Sequence, residues 1–166
     1  QLDAAEALVR AAFGSAFRSH DWMHAVAGVH ILLIDDDQTL VGFAAVVART
    51  LRHNDIAFNT GYVEGVAVRA DQQGRGLGRV VMDRAESIIN TRHHLGALNA
   101  VETAASFYQG RGWWPWTGHT QAAGPTGIID TYDDADRIFL FSTEEHARPL
   151  DADSALICDW RPGDLW

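Results

Sequence analysis

The apolar positions set the element order. Leu8, Val9, Ala12 and Phe13 recur at helical spacing and predict a helix over residues 3–17. In "SHDWMHAVAGVH", Asp21 is placed to cap a short helical turn and Gly28 to end it. "HILLI" then reads as a strand, "DDDQ" as a turn, and "TLVGFAAVVARTLR" as a long apolar strand. "HND" is a second turn signal, and "GYVEGVAV" is the next strand. After "QQGRGLG" comes a helix over 77–90. Its apolar stripe is Leu77, Val80, Val81, Ala85, Ile88 and Ile89, with Arg79, Asp83, Arg84 and Glu86 on the other side.

Beyond that helix, "LGALNAV" reads as a buried strand and "TAASFYQGR" as a short helix ending near Gly110 or Gly112. "WWPW" begins a strand or extended segment. Residues 117–136, rich in Gly, Pro, Thr and Asp, read as a long loop or a hairpin excursion. "RIFLF" and "SALICDW" are the last strands. No repeat, low-complexity tail or dividing linker interrupts the pattern, so one domain over 1–166 is expected. The order predicts an α/β or α+β layer structure, a mixed sheet flanked by helices.

Composition narrows the class. Apolar residues make up 47% of the 166 and charged ones 21%, a globular balance. No apolar run reaches the length of a membrane span. The opening "QLDAAEALVRAAF" is acidic and amphipathic, unlike a signal peptide, and its lack of Met suggests that a few initial residues are missing. The lone Cys158, in the apolar run "SALIC", rules out an internal disulfide framework. It reads as a buried inert thiol and fits a reducing cytoplasm. With 13 Lys and Arg against 22 Asp and Glu, the net charge is −9. That balance argues against nucleic acid or anionic membranes as partners and is compatible with a cationic one. The 8 histidines show no metal-ligand spacing, so no metal is expected; His93 and His94 are read as closing the helix that precedes them.

The most informative stretch is "ADQQGRGLG", where Gly74, Gly76 and Gly78 fall together at a helix start. Glycine is a poor helix former, so their presence needs a reason. The first turn of a helix has unpaired N–H groups, and its dipole favours negative charge. Glycines let a phosphate approach that backbone, and Arg75 or Arg79 can add charged contacts. The run is neither a P-loop, since Arg and Val follow Gly78, nor a dinucleotide fingerprint. Spacing alone also fits a structural loop.

Gln73-x-x-Gly76-x-Gly78 after "VEGVAVRAD" resembles the coenzyme A signature of the GCN5-related N-acetyltransferases. The resemblance implies that family's fold, a mixed, mostly antiparallel sheet splayed near the coenzyme site and flanked by helices. It implies acetyl-CoA as cofactor. The pyrophosphate would lie on Gln73, Gly74, Arg75, Gly76, Leu77 and Gly78, with Arg79 just beyond. The backbone of Val66, Ala67 and Val68 would hold the pantetheine arm and the thioester carbonyl. "SFYQGRGWWPW" resembles the family's tyrosine-bearing helix, which would put Tyr108 near the coenzyme sulfur as proton donor; Asn99 is a further contact to the coenzyme arm.

Within that superfamily the chain resembles the aminoglycoside 2′-N-acetyltransferases over nearly its whole length. "DWMHAVAGVH", "GYVEGVAVRAD", "LGAL", "GPTG" and above all the ending "CDWRPGDLW" carry the likeness. It implies a dimeric bacterial enzyme acting on a polycationic antibiotic. Such a substrate needs carboxylates, and the matched positions supply Asp21, Glu64, Asp134, Asp164 and the carboxylate of the chain end at Trp166. Ala16 departs from the pattern where relatives often carry Asp, and Arg18 adds positive charge nearby.

The residues suggest a mechanism. Glu64 stands in an otherwise apolar strand, where a carboxylate must face a cleft or be costly, and Gly65 beside it suggests a bulge or a close backbone approach. Glu64 is expected to take the ammonium proton through water. The amide of Val66 would polarise the acetyl carbonyl, and Tyr108 would protonate the departing thiolate. Two rival readings remain. One is a same-fold acetyltransferase for another amine, such as a cell-wall precursor, polyamine or peptide. The other is a non-catalytic module that binds acyl-CoA or a cationic drug.

Overall fold

The computed structural model describes residues 1–131, 138–144 and 150–166; the side chain of Ala16 also lies outside the description. Among these residues the chain forms α1 (Leu2–Phe13), α2 (Ser19–Val26), β1 (Val29–Ile34), β2 (Leu40–His53), β3 (Ile56–Val68) and α3 (Leu77–Arg92). Then follow β4 (Leu95–Asn99), α4 (Ala105–Gln109), β5 (Trp114–Pro115), β6 (Thr120–Gly124), β7 (Gly127–Asp130), β8 (Ile138–Ser142) and β9 (Leu156–Asp159). The fold is α+β, with a mixed, mostly antiparallel sheet. Among the described residues no helix is long and apolar enough to cross a membrane.

The chain divides into two compact units, Gln1–Val47 with Val63–Ile88, and Ala48–Tyr62 with Ile89–Trp166. In the first, Ala5, Leu8 and Val9 of α1 pack with Ala25, Phe43, Ala45 and Ala67, and Trp22 closes on Phe43 at 5.7 Å between ring centroids. The first helix is shorter than its periodicity suggests. Gly14 takes φ 60 and ends α1 at Phe13; Ala12 and Phe13 are exposed rather than core positions. Gly28 has a different role from the predicted helix stop. Its φ is not left-handed; instead a Cβ there would meet the Val46 carbonyl oxygen at 2.7 Å, so glycine is needed for β1 to lie against β2. Asp21 does cap α2, but from its third position: the Arg18 N–H donates to its Oδ2 at 2.7 Å.

The turns are as the sequence indicates. Asp35 accepts from the N–H groups of Asp37 and Thr39, with Gln38 at φ 61. Asn54 and Asp55, at φ 47 and 62, join β2 to β3 in a two-residue left-handed turn. On α3, Val81, Met82, Ala85 and Ile89 are buried, whereas Val80 is 45% exposed; Met82 takes the core position expected of Val80. Beyond Arg92, the His93 N–H returns to the Ile89 carbonyl and the His93 ring meets Asn59 Oδ1 at 2.9 Å, which closes the helix. Burial pushes the His93 pKa down.

In the second unit the strand order is β5-β8-β4-β3-β2-β9-β6-β7. β3 runs parallel to β4, pairing Thr60, Gly61 and Tyr62 with Leu95, Gly96 and Ala97. Residues 117–136 are in large part a hairpin: β6 pairs with β7 and lies parallel to β9, so the excursion extends the sheet. The core gathers Leu51, Tyr62, Leu95, Trp116, Leu140, Leu156 and Cys158. Cys158 is buried, and burial raises its thiol pKa, as expected for an inert cysteine.

Candidate functional site

The glycine loop is a left-handed turn followed by a helix. β3 ends at Val68, a single helical turn covers Ala70–Gln72, and Gly74 and Gly76 follow with φ 75 and 82 before α3 opens at Leu77. A side chain at either glycine would be strained, although a Cβ would meet nothing within 4 Å. Conformation, and open space on that side, select glycine here. The Arg79 and Val80 amides both return to the Gly76 carbonyl. The backbone N–H groups of Gly74, Arg75, Gly76, Leu77 and Gly78 have no acceptor among the described residues. Five open amides at one helix start suit an anion.

Side chains brace this loop from below. The Gln73 amide donates to the Val68 carbonyl at 3.2 Å, so that side chain ties the loop to the strand end. Arg69 donates to Asp71 at 2.7 Å and lies 4.0 Å from Asp35, while its N–H is bound by the Val41 carbonyl. The hydrogen bond and charge of Arg69 push the Asp71 carboxyl below its usual range. Arg75 donates to the Gln72 side chain; Arg79 is exposed.

On the strand before the loop, Gly65 takes φ 63, the irregularity expected beside Glu64. Gly65 faces Phe43 and Val9, and Ala67 is buried with them. Alternation puts Glu64, Val66 and Val68 on the other face, where all three are half-buried. Asp21 is half-buried in the same unit. Its carboxylate is shared between the Arg18 N–H and His20, 3.1 Å away, and this capping is a structural task as well as a source of negative charge.

In the second unit, Tyr108 lies on α4, 7% exposed. Its ring is set edge-on to Trp113 at 6.2 Å and tilted on Phe139 at 6.1 Å. Its carbonyl accepts from Arg111 and Trp113, and Gly112 at φ 89 turns the chain into β5. Burial pushes the Tyr108 phenol up to about 12, so it stays protonated across the neutral range. Asn99 ends β4 with an exposed side chain. Asp164 is exposed, with its carbonyl bound by Arg161 at 2.6 Å. The Trp166 indole donates to Thr131 Oγ1 at 2.8 Å. Asp134 lies outside the described residues. The residues that sequence reasoning missed are the braces, Arg69, Asp71 and Gln72; only the charge pattern "VRADQQ" hints at them.

A mixed α+β sheet, a strand running into a helix start with open amides, and, in the second unit, a buried tyrosine that keeps its proton at neutral pH each fit an acyl-coenzyme A-dependent transferase. The chain belongs to the acetyltransferase (GNAT) family, whose model matches residues 4–113; it is an acetyltransferase, and acetyl-CoA is the donor of that family. It is 40% identical over 165 residues to an aminoglycoside 2′-N-acetyltransferase of Mycolicibacterium fortuitum, across 99% of this chain and 84% of that one. Two solved structures share the fold. The GNAT family N-acetyltransferase YhbS from Escherichia coli, in complex with CoA, matches at TM-score 0.69 and 13% identity, over 96% of this chain and 84% of that one. Tetrahymena GCN5 matches at TM-score 0.60 and 13% identity, over 88% of each chain.

Proposed function

We propose that this protein transfers the acetyl group of acetyl-CoA to the 2′-amino group of aminoglycosides, by direct attack within a ternary complex. The observation that carries the reading is the 40% identity, across 99% of the chain, to the relative of that activity. The pyrophosphate binds the amides of Gly74 to Gly78, with Gln73, Arg75 and Arg79 around it. The backbone of Val66, Ala67 and Val68 aligns the pantetheine arm, and Asn99 adds a contact. The contacts to the ammonium groups are assigned to Asp21, Glu64, Asp134, Asp164 and Trp166.

Glu64, through water, takes the proton of the 2′-ammonium, since only the neutral amine is nucleophilic. The amine nitrogen bonds to the acetyl carbon while the Val66 N–H steadies the oxyanion. The carbon–sulfur bond then breaks, and Tyr108 hydrogen-bonds and protonates the leaving thiolate. Bringing both substrates together supplies much of the acceleration. The protein acts as a cytoplasmic homodimer, which sedimentation at assay concentration tests.

The deciding assay is thiol release from acetyl-CoA with a panel of acceptors. Turnover with aminoglycosides bearing a 2′-amine, and none with their 2′-hydroxyl counterparts, supports the proposal. Turnover with spermidine or peptides alone overturns it, as does binding without thiol release. Glu64→Gln is expected to lower kcat about 100-fold at unchanged acetyl-CoA KM, the range of a general base. An equal loss in both would remove Glu64 from that role.

A further inference from the structure

A single buried side chain on β2 ties down the segment that follows β9. Arg49 is 5% exposed, in the run "VVARTLR". Its hydrogen-bond acceptors lie 110 and 116 residues away. Its Nε donates to Asp159 Oδ1 at 2.8 Å, its Nη2 to the Asp159 carbonyl at 2.8 Å, and its Nη1 to the Leu165 carbonyl at 2.7 Å. Asp159 is the last residue of β9 and Leu165 lies beyond it, so one guanidinium closes the loop between them. Within that loop Arg161 Nε holds the Asp164 carbonyl at 2.6 Å. The guanidinium carbons of Arg49 and Arg161 lie 4.9 and 5.3 Å from the Tyr62 ring centroid. Leu165 and Trp166 pack on the same core.

The arrangement fixes a backbone path more than it neutralises a charge. Two of the three Arg49 bonds go to carbonyls, and the Asp159 side chain is 41% exposed. A planar fork with fixed donors reaches two backbone points and a carboxylate at once; a lysine ammonium does not. The exposed Asp164 sits in the loop that this fork closes.

We propose that Arg49 is a positioning residue for the amine substrate: by stapling Asp159 to Leu165 it fixes the Asp164 carboxylate and so sets affinity for the polycationic acceptor. This rests on the reading of the acceptor as an aminoglycoside with Asp164 among its contacts. Arg49 touches neither the acetyl group nor the coenzyme in this role, so its effect is confined to acceptor binding.

The test uses the full chain with acetyl-CoA and an aminoglycoside bearing a 2′-amine. Arg49→Lys is expected to raise the drug KM about tenfold, the loss of one good charged hydrogen bond, with kcat and acetyl-CoA KM within about twofold. Asp159→Asn keeps both carbonyl bonds and is expected to stay within about threefold. The double variant Arg49→Lys with Asp164→Asn is expected to be no worse than Asp164→Asn alone, because one acts through the other. Additive losses overturn the proposal, as do an unchanged drug KM or a parallel rise in both KM values. In the wild type, the Arg49 Nε–H and Nη–H protons, buried and bound, are expected to exchange slowly with water by NMR; rapid exchange there overturns the staple even should Arg49→Lys not fold. Thiol release by the wild type with no such drug defeats the functional reading and takes this inference with it. Turnover by the wild type matched by Arg49→Lys defeats the inference alone.

Discussion

Burial of Tyr108 has two opposed effects on its phenol. A pKa pushed up to about 12 keeps the proton on oxygen at every pH at which the enzyme works, and it also makes the group a weaker acid. In the proposed mechanism its contribution is therefore a hydrogen bond that strengthens as charge builds on the sulfur, with proton transfer following. Tyr108→Phe is expected to lower kcat by about 100-fold, near the bottom of the general-acid range, with acetyl-CoA KM little changed. The folded pKa lies above the unfolded value near 10, so the folded state binds the proton more tightly. The stabilisation is present in full below about pH 10 and fades as pH rises toward 12. No descending limb of kcat/KM between pH 7 and 9 should disappear in Tyr108→Phe; one that did would contradict the assignment. At this scale the sequence was legible in part. Glu64 stood out as an acid in an apolar strand. The exchange of Val80 for Met82 in the core did not: at about 100° per residue the two sit on nearly opposite sides of the helix, and only the packing of α3 shows which side is buried.

The loop between β3 and α3 joins two requirements. Left-handed φ at Gly74 and Gly76 turns the chain, and the turn leaves five amides without an acceptor among the described residues. Gly76→Ala is expected to raise acetyl-CoA KM about tenfold and to cost roughly 1 kcal/mol of stability, the penalty for a Cβ in that region, while drug KM holds. Isothermal titration with CoA and a urea melt measure the two separately; unchanged CoA affinity would count against the cradle. Glycine spacing made this element readable in the sequence. Gly28 was misread for the complementary reason. Glycine marks both left-handed turns and close approaches, and local sequence does not say which; only β2 lying against β1 makes the difference. Asp21 likewise sits three positions from where a simple cap would stand, because Arg18 rather than Asp21 begins the helix boundary.

For the molecule as a whole, the charge of −9 bears on a polycationic acceptor and an anionic donor in opposite ways. Screening at 0.3 M salt is expected to raise the drug KM several-fold and to leave acetyl-CoA KM nearly unchanged, since its phosphates meet amides at short range. Initial rates at two salt concentrations check this; equal shifts would mean that carboxylates do not dominate acceptor binding. Element order, the turn at Asn54–Asp55 and the glycine turn before α3 were determined by the sequence alone, because hydrophobic period and turn chemistry act over a few residues. Only the tertiary structure decided that the 117–136 excursion adds β6 and β7 to β9, and that Arg49 binds residues more than a hundred positions on. Such pairings are chosen by which distant surfaces bury together and by what a buried guanidinium then finds to hydrogen-bond, and no local pattern carries that information.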